Sequence, residues 1–288
     1  MLSPVTSSSD HPLIQLITLN DGNAIPQLGF GVWQVPNDEA SGAVLEAIKQ
    51  GYRSIDTAQG YDNETGVGEG IAKSGVQRSE LFITSRLRTR SMGYDEALTG
   101  IRQSLADLEL DYLDMFLIHW PAPNHNRYVD TWRAFIKARD EGLVRSIGVS
   151  NFTPDYLERV IGETGVVPAV NQVETHPLYQ ERDLDAVHKK HRIQLEAYSP
   201  LGTGSVLKNE VIGEIARSQR RSPAQVILRW HLIRGHIAIP KSVHPERIAE
   251  NLDVFNFELT PDEVERIDAL DDPNGKTGSK PEEFNDLF

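Results

Sequence analysis

The sequence predicts an α/β fold: a single (β/α)8 TIM barrel with an N-terminal β-hairpin and a C-terminal helix and tail. Three observations carry this reading. Short β-rich runs begin near Leu28, Ser54, Leu81, Leu113, Val144, Ala169, Gln194 and Ile237, and stretches with apolar residues every three or four positions separate them, giving eight strand–helix units. Setting aside a leader (1–12), a hairpin (13–27) and a tail (273–288) leaves roughly 245 residues, the size of one such barrel. No G-x-G-x-x-G follows a strand, and neither G-x-x-x-x-G-K-[ST] nor G-x-S-x-G occurs, which disfavours a doubly wound sheet. Residues 13–288 are therefore expected to form one barrel domain that includes the C-terminal loop 273–288.

Each element has its own signal. Residues 13–27, LIQLITLNDGNAIPQ, alternate apolar and polar on both sides of Asn20-Asp21-Gly22-Asn23, the turn chemistry of a hairpin. Ala97, Ile101, Leu105 and Leu108 share one helix face, while Arg102, Asp107 and Glu109 fall on others. Three helix starts carry a hydroxyl before a proline: Thr153-Pro154, Ser222-Pro223 and Thr260-Pro261. The opening MLSPVTSSSDHP has no basic start and no apolar stretch, so it reads as a flexible leader rather than a secretory signal. His188-Lys189-Lys190-His191 has helical spacing and reads as a solvated face; no metal site is expected.

Composition narrows the function. With 42 acidic against 29 basic residues the net charge is −13, which argues against nucleic acid and against an anionic membrane surface. Any site for an anionic ligand must be local. No apolar run approaches the roughly 20 residues of a membrane helix. The absence of cysteine excludes disulfides, thiolate metal sites and cysteine nucleophiles together, and it points to the cytoplasm. No exposed apolar stripe is evident, so a monomer is expected.

In a barrel the reacting groups project from the C-terminal strand ends. The second strand closes on Asp56 with Tyr61 on the loop beyond it; the third carries Arg86, the fourth His119, and the fifth Ser150 and Asn151. An aspartate, a phenol, a cation and an imidazole at neighbouring strand mouths form an acid–base set. Singly, each has a structural reading: an Asp56–Arg86 ion pair, a core histidine, a rim tyrosine. A buried cation beside Tyr61 is expected to lower the phenol's pKa towards the working range.

The motifs DTAQGYDNE (56–64), FLIHWP (116–121), GVSNF (148–152), NQVETHPLYQ (171–180), YSPLG (198–202), IPKS (239–242) and ERIAENLDVF (246–255) follow one another in the order seen in the aldo-keto reductases. The chain resembles that family from the hairpin to about residue 272, and within it the bacterial 2,5-diketogluconate reductases. The resemblance implies NADPH lying extended across the barrel mouth and a small-molecule carbonyl substrate. It implies Tyr61 as general acid, His119 orienting the carbonyl, and Asp56 supporting the cation. Ser150, Asn151 and Gln172 would hold the nicotinamide carboxamide, with Tyr198 stacked beneath the ring and Ser199 and Leu201 beside it. Lys241, Ser242 and Arg247 would clamp the 2′-phosphate, and Glu250 and Asn251 would meet the adenine. Trp33 and Trp120 would wall the substrate pocket, and the tail would close over substrate.

The chain departs from the family at one strand end. Where the family carries lysine in a TSKLW-like run, this chain reads Ser85-Arg86-Leu87-Arg88, so arginine replaces both the catalytic cation and a pocket tryptophan. Arginine keeps the charge but is bulkier, planar and effectively never deprotonated. Arg88 at the pocket rim would favour a carboxylate-bearing substrate. The expected function is an NADPH-dependent oxidoreductase that reduces aldehydes, ketones or keto sugars to alcohols. The alternative is an NADPH-binding sensor or partner-binding relative with weak or lost catalysis.

Overall fold

The computed structural model describes residues 14–288, so the leader expected over 1–12 lies outside the described residues. Strands β1 (Leu16–Thr18) and β2 (Ala24–Pro26) pair antiparallel. A turn closed by the Gly22 N–H donating to the Leu19 carbonyl at 3.1 Å joins them, with Gly22 at φ 90° supplying the left-handed step of a three-residue hairpin loop. Strands β3 (Phe30–Gly31), β4 (Ser54–Asp56), β5 (Phe82–Leu87), β6 (Leu113–Ile118), β7 (Val144–Ser150), β8 (Val170–Glu174), β9 (Gln194–Tyr198) and β10 (Ile237–Ala238) follow in one parallel sheet whose spatial order is the chain order. The sheet closes on itself. Leu28 bridges Ala238 in parallel, and Gly29 N–H donates to the Ala238 carbonyl at 2.9 Å. The result is the expected (β/α)8 barrel.

Helices α1 (Asn37–Gln50), α2 (Glu64–Lys73), α3 (Tyr94–Asp107), α4 (Tyr128–Asp140), α5 (Pro154–Thr164) and α6 (Asp185–His191) each follow one strand, α7 (Glu210–Gln219) and α8 (Pro223–Ile233) both follow β9, and α9 (Pro245–Leu252) and α10 (Pro261–Asp268) follow β10. Strand β6 is buried at all six positions, as expected when one face meets the barrel lumen and the other meets helices. On α3 the buried face is Ala97, Gly100, Ile101, Ser104 and Leu105, the predicted stripe with two small residues added. Ser222 and Thr260 form full capping boxes with Gln225 and Glu263. Thr153 occupies the cap position of α5, but its side chain makes no cap hydrogen bond. The hairpin plugs the bottom of the barrel: Leu19 and Ile25 join Phe82, Met115, Leu117, Val170 and Ile237 in one apolar cluster. The opposite mouth is left for the strand ends.

One sequence expectation is corrected here. His188 does not share the solvated face of Lys189 and Lys190; it is buried, with Nε2 3.1 Å from Asn171 Nδ2. The helix is short and lies against β8, so the position one turn before His191 points inward. Burial takes the His188 imidazole down to about 4. It likewise takes His236 down to about 3, and it draws His231, whose Nδ1 lies 3.2 Å from His236 Nδ1, well below the ordinary range. These rings fold as neutral species, whereas the unfolded chain protonates them near 6.5. Stability from this source is therefore complete above pH 6.5 and is lost as pH falls towards the folded-state values, at about 1.4 kcal/mol per pH unit for each such ring. Urea unfolding should give nearly equal stability at pH 8.5 and 7.5 and clearly lower stability at pH 5, before most carboxylates titrate; equal stability at pH 7.5 and 5 contradicts this.

Candidate active site

Asp56 ends β4 and is paired in register with Thr84 of β5. Arg86 lies two residues beyond Thr84, hence on the same side of the strand and one layer nearer the mouth. Both side chains are almost wholly buried, so their charges must meet each other. Arg86 Nη2 donates to Asp56 Oδ1, and Nη1 of the same guanidinium donates to the Tyr61 hydroxyl. The planar fork thus reaches two groups at once. Asp56 Oδ2 accepts from Gln172 Nε2 at 3.0 Å. Burial draws the Arg86 guanidinium down to about 10, against the pull of Glu196 and Tyr198, so it remains a cation at neutral pH.

Tyr61 reaches the cation from the loop between β4 and α2, which two buried amides fix. Asn63 accepts from Thr57 Oγ1 at 2.8 Å and donates to the Val32 and Val35 carbonyls at 3.0 and 2.9 Å. Gln59 donates to the Gly100 carbonyl at 2.7 Å and to Ser104 Oγ at 2.9 Å. Burial pushes the Tyr61 phenol above its ordinary value, and Tyr198 adds to the rise. This reverses the expectation that Arg86 would lower it: loss of water around the oxygen outweighs the nearby charge. The phenol therefore keeps its proton throughout the neutral range.

His119, just past β6, meets Tyr61 edge-on with ring centroids 5.9 Å apart. Burial, and after it the Arg86 charge, hold its imidazole well below the ordinary value, so it is neutral at pH 7. The tail folds over this side of the mouth. Phe284 stacks on Trp120 at 4.2 Å, and Phe288 packs edge-on against His119 at 5.3 Å and covers Gly60, where a Cβ would collide with its ring. Asn285 Oδ1 accepts from Asn124 N–H at 2.8 Å, and Phe288 N–H donates to Thr89 Oγ1 at 3.1 Å. The base of the tail is tied by charge. Glu174, at the end of β8, accepts from Thr277 N–H, Thr277 Oγ1 and Gly278 N–H at 2.6, 2.7 and 2.8 Å. Burial would raise the Glu174 carboxyl, but these bonds, together with one from His176, bring it down to about 2.

A cavity of about 750 Å³ runs from Asp56, Tyr61 and Arg86 past Tyr198, Ser199 and Leu201 to Lys241, Ser242, Arg247, Glu250 and Asn251, with Trp33 on its rim. Eight of the eleven sequence-predicted cofactor residues thus line one continuous cleft. Ser150, Asn151 and Gln172 lie buried beside it. The Asn151 carboxamide donates to the His119 carbonyl at 3.0 Å and accepts from the Tyr198 hydroxyl at 2.8 Å, which fixes the Tyr198 ring. Gln172 Oε1 is buried without a partner. Arg88 is not in the cleft: it donates to the Gln59 carbonyl and lies 2.7 Å from Asp62 beside a separate cavity. Trp120 is covered by Phe284. The sequence reading missed Glu196, Phe284 and Phe288, and it did not place the Ser222–Pro223 cap on the cleft. Only Glu196 carried a clear signal, a carboxylate between Leu195 and Ala197 in the middle of a strand.

The geometry is that of a known group of enzymes. The Aldo/keto reductase family model matches residues 27–272. The chain belongs to that family. An aldo-keto reductase of Mycolicibacterium smegmatis is 51% identical over 269 residues, 93% of this chain and 98% of that protein. The methylglyoxal reductase DkgA of Escherichia coli is 46% identical over 271 residues, with the same coverage of each chain. Among solved structures, a Gox0644 mutant in complex with NADPH superposes with a TM-score of 0.92 at 46% identity, covering 95% of this chain and 99% of that one. The barrel, the buried cluster of Asp56, Tyr61, Arg86 and His119, and the cleft across the mouth occur together in this chain.

Glu174→Gln should loosen the tail of this aldo-keto reductase. Hydrogen bonds to a charged group are worth about 1.5–3 kcal/mol, so tryptic cleavage after Lys276 should accelerate by about tenfold or more. Unchanged cleavage kinetics would show that the carboxylate does not hold the tail.

Proposed function

We propose that this chain reduces short aldehydes and α-dicarbonyl compounds of the methylglyoxal type to alcohols. It is an NADPH-dependent aldo-keto reductase; the finer reading rests on one observation. The cleft opens onto Tyr61 and Arg86, while the far side of His119 is occupied by Phe284 and Phe288 of the tail. The space left beside the proton donor suits a small carbonyl compound rather than a long keto sugar. The named activity of the E. coli relative is consistent with this choice.

The residues fit the cofactor. Lys241 and Arg247 take part in no ion pair among the described residues, although acidic groups outnumber basic ones across the chain. They lie on the cleft beside the start of α9, whose cap residue His244 makes no side-chain cap bond, an arrangement that favours an anion. Lys241, Ser242 and Arg247 would hold the 2′-phosphate, and Glu250 and Asn251 the adenine. Gln172 Oε1 is a free acceptor for a carboxamide N–H at the other end, Tyr198 offers its ring to the nicotinamide face, and Ser199 and Leu201 line the bend between them. NADPH supplies the hydride when bound.

The protein manages the proton. Tyr61 stays protonated at neutral pH and donates to the carbonyl oxygen as negative charge grows there. Arg86 stabilises the phenolate left behind, and Asp56 fixes the guanidinium in place. Neutral His119 offers an N–H that orients the carbonyl. Since Arg86 satisfies both Asp56 and Tyr61, no observation favours the sensor alternative.

Two measurements test this assignment. Tyr61→Phe should lower kcat for methylglyoxal reduction by about 10²–10⁴-fold while NADPH still binds; wild-type kcat removes Tyr61 from the mechanism. Arg247→Ala should weaken NADPH binding at least about tenfold, the loss expected for one charge-assisted bond, and leave NADH binding unchanged. An equal loss for both cofactors contradicts the 2′-phosphate clamp. Across a carbonyl panel, a preference for long keto sugars over methylglyoxal would contradict the proposed substrate class.

A further inference from the structure

Beneath the cleft, Gln172 carries two carboxylates on one amide. Its Nε2 donates to Asp56 Oδ2 and to Glu196 Oε2, each at 3.0 Å. Gln172 is fully buried, and Glu196 is 1% exposed. The nearest cation is Arg86, already bonded to Asp56 and Tyr61, so two acidic groups face one positive charge where water does not reach. Asp56 is the partner in the ion pair. Glu196 has only the one amide bond, and two oxygens are left over at this contact: Glu196 Oε1 and Gln172 Oε1 are both buried without partners. Two acceptor oxygens on groups already in contact through their other atoms are mismatched if Glu196 is a carboxylate. They are matched if it is a carboxylic acid, whose O–H donates to an amide carbonyl while the amide N–H donates back.

We infer that Glu196 is a positioning residue that remains a neutral carboxylic acid at neutral pH, paired with the Gln172 carboxamide. Its neutrality leaves the Arg86 charge to Asp56 and Tyr61, and its O–H holds Gln172 in orientation. The Gln172 carbonyl has a second lone pair, which stays available to the cleft. The surroundings agree on every side: Arg86 from β5, Asp56 from β4 and Gln172 from β8 are the polar groups facing it, Tyr198 follows on its own strand, and Ile237 is its apolar neighbour on β10. Burial raises the Glu196 carboxyl above its ordinary range, against the Gln172 bond and the Arg86 charge. When Glu196 does ionise, the added negative charge makes the Tyr61 phenolate harder to form. Reduction therefore slows as pH rises through that ionisation.

This inference rests on the reductase reading for its kinetic arm only. The direct arm is an infrared difference spectrum of wild type minus Glu196→Gln at pH 7, in which the introduced amide imitates the neutral acid. A carboxylic-acid C=O band should be present in the wild type and missing in the variant; no such band, or a carboxylate band in its place, overturns the inference. In the kinetic arm, Glu196→Gln should lose the decline in kcat that the wild type shows at higher pH, and a variant whose kcat declines over the same pH range as the wild type overturns it too. If Glu196→Gln fails to fold, Glu196→Asp takes its place: the acid band should persist, shifted from its wild-type position, along with the decline in kcat. Absence of the band from that variant counts against the inference. If the wild type reduces no carbonyl compound, the proposed function fails while the infrared arm still decides the state of Glu196.

Discussion

The arrangement of the barrel mouth follows from one buried charge. A guanidinium out of water is tolerable only if its charge is paired, and Arg86 turns its two terminal nitrogens to Asp56 and Tyr61, while its Nε is buried without a partner among the described residues. Asp56 is in turn held by Gln172, and the Tyr61 loop by Asn63 and Gln59. Removing one partner from such a pair generally costs about 3–5 kcal/mol, because the remaining charge stays buried. The group that holds the Tyr61 hydroxyl therefore also ties together three strands and a loop. Arginine suits this task better than its reputation as a mere charge substitute suggests, since a fork can satisfy two oxygens that a single ammonium would approach from one point.

Around that centre the molecule is divided by function. The hairpin fills the bottom with apolar side chains, which leaves the opposite mouth for polar strand ends. One side of the mouth is an open cleft whose far end carries Lys241 and Arg247, in no ion pair among the described residues. The side beside His119 is closed by tail aromatics, with the tail's base held by the Glu174 carboxylate. The proposed small carbonyl substrate would be confined between a protonated phenol and a neutral imidazole, both kept in those states by burial. Exclusion of water and control of proton position have the same cause.

Much of this was legible in the sequence because periodicity and strand-end chemistry are local. The eight strands begin within two residues of their expected positions, and Asp56, Tyr61, Arg86 and His119 meet as their strand ends implied. The residues from Tyr198 to Asn251 that motif resemblance assigns to a cofactor line one cleft. What was not legible depended on desolvation and long-range packing. The raised Tyr61 proton affinity follows from burial, which no motif records. His188 turned inward because a short helix lies flat on β8. Arg88, expected at the rim, found Asp62 and Gln59 instead, and the aromatic wall came from Phe284 and Phe288, some 200 residues away along the chain.

The measurement that bears most directly on this account is the single-turnover rate of hydride transfer to methylglyoxal in Arg86→Met, with NADPH affinity measured alongside to establish that the cleft has folded. The account predicts normal NADPH affinity with a rate reduced by about a hundredfold or more, since preorganised electrostatic stabilisation of this kind is worth about 2.7–4 kcal/mol. A variant that binds NADPH and transfers hydride at the wild-type rate would show that the buried guanidinium does not govern the chemistry.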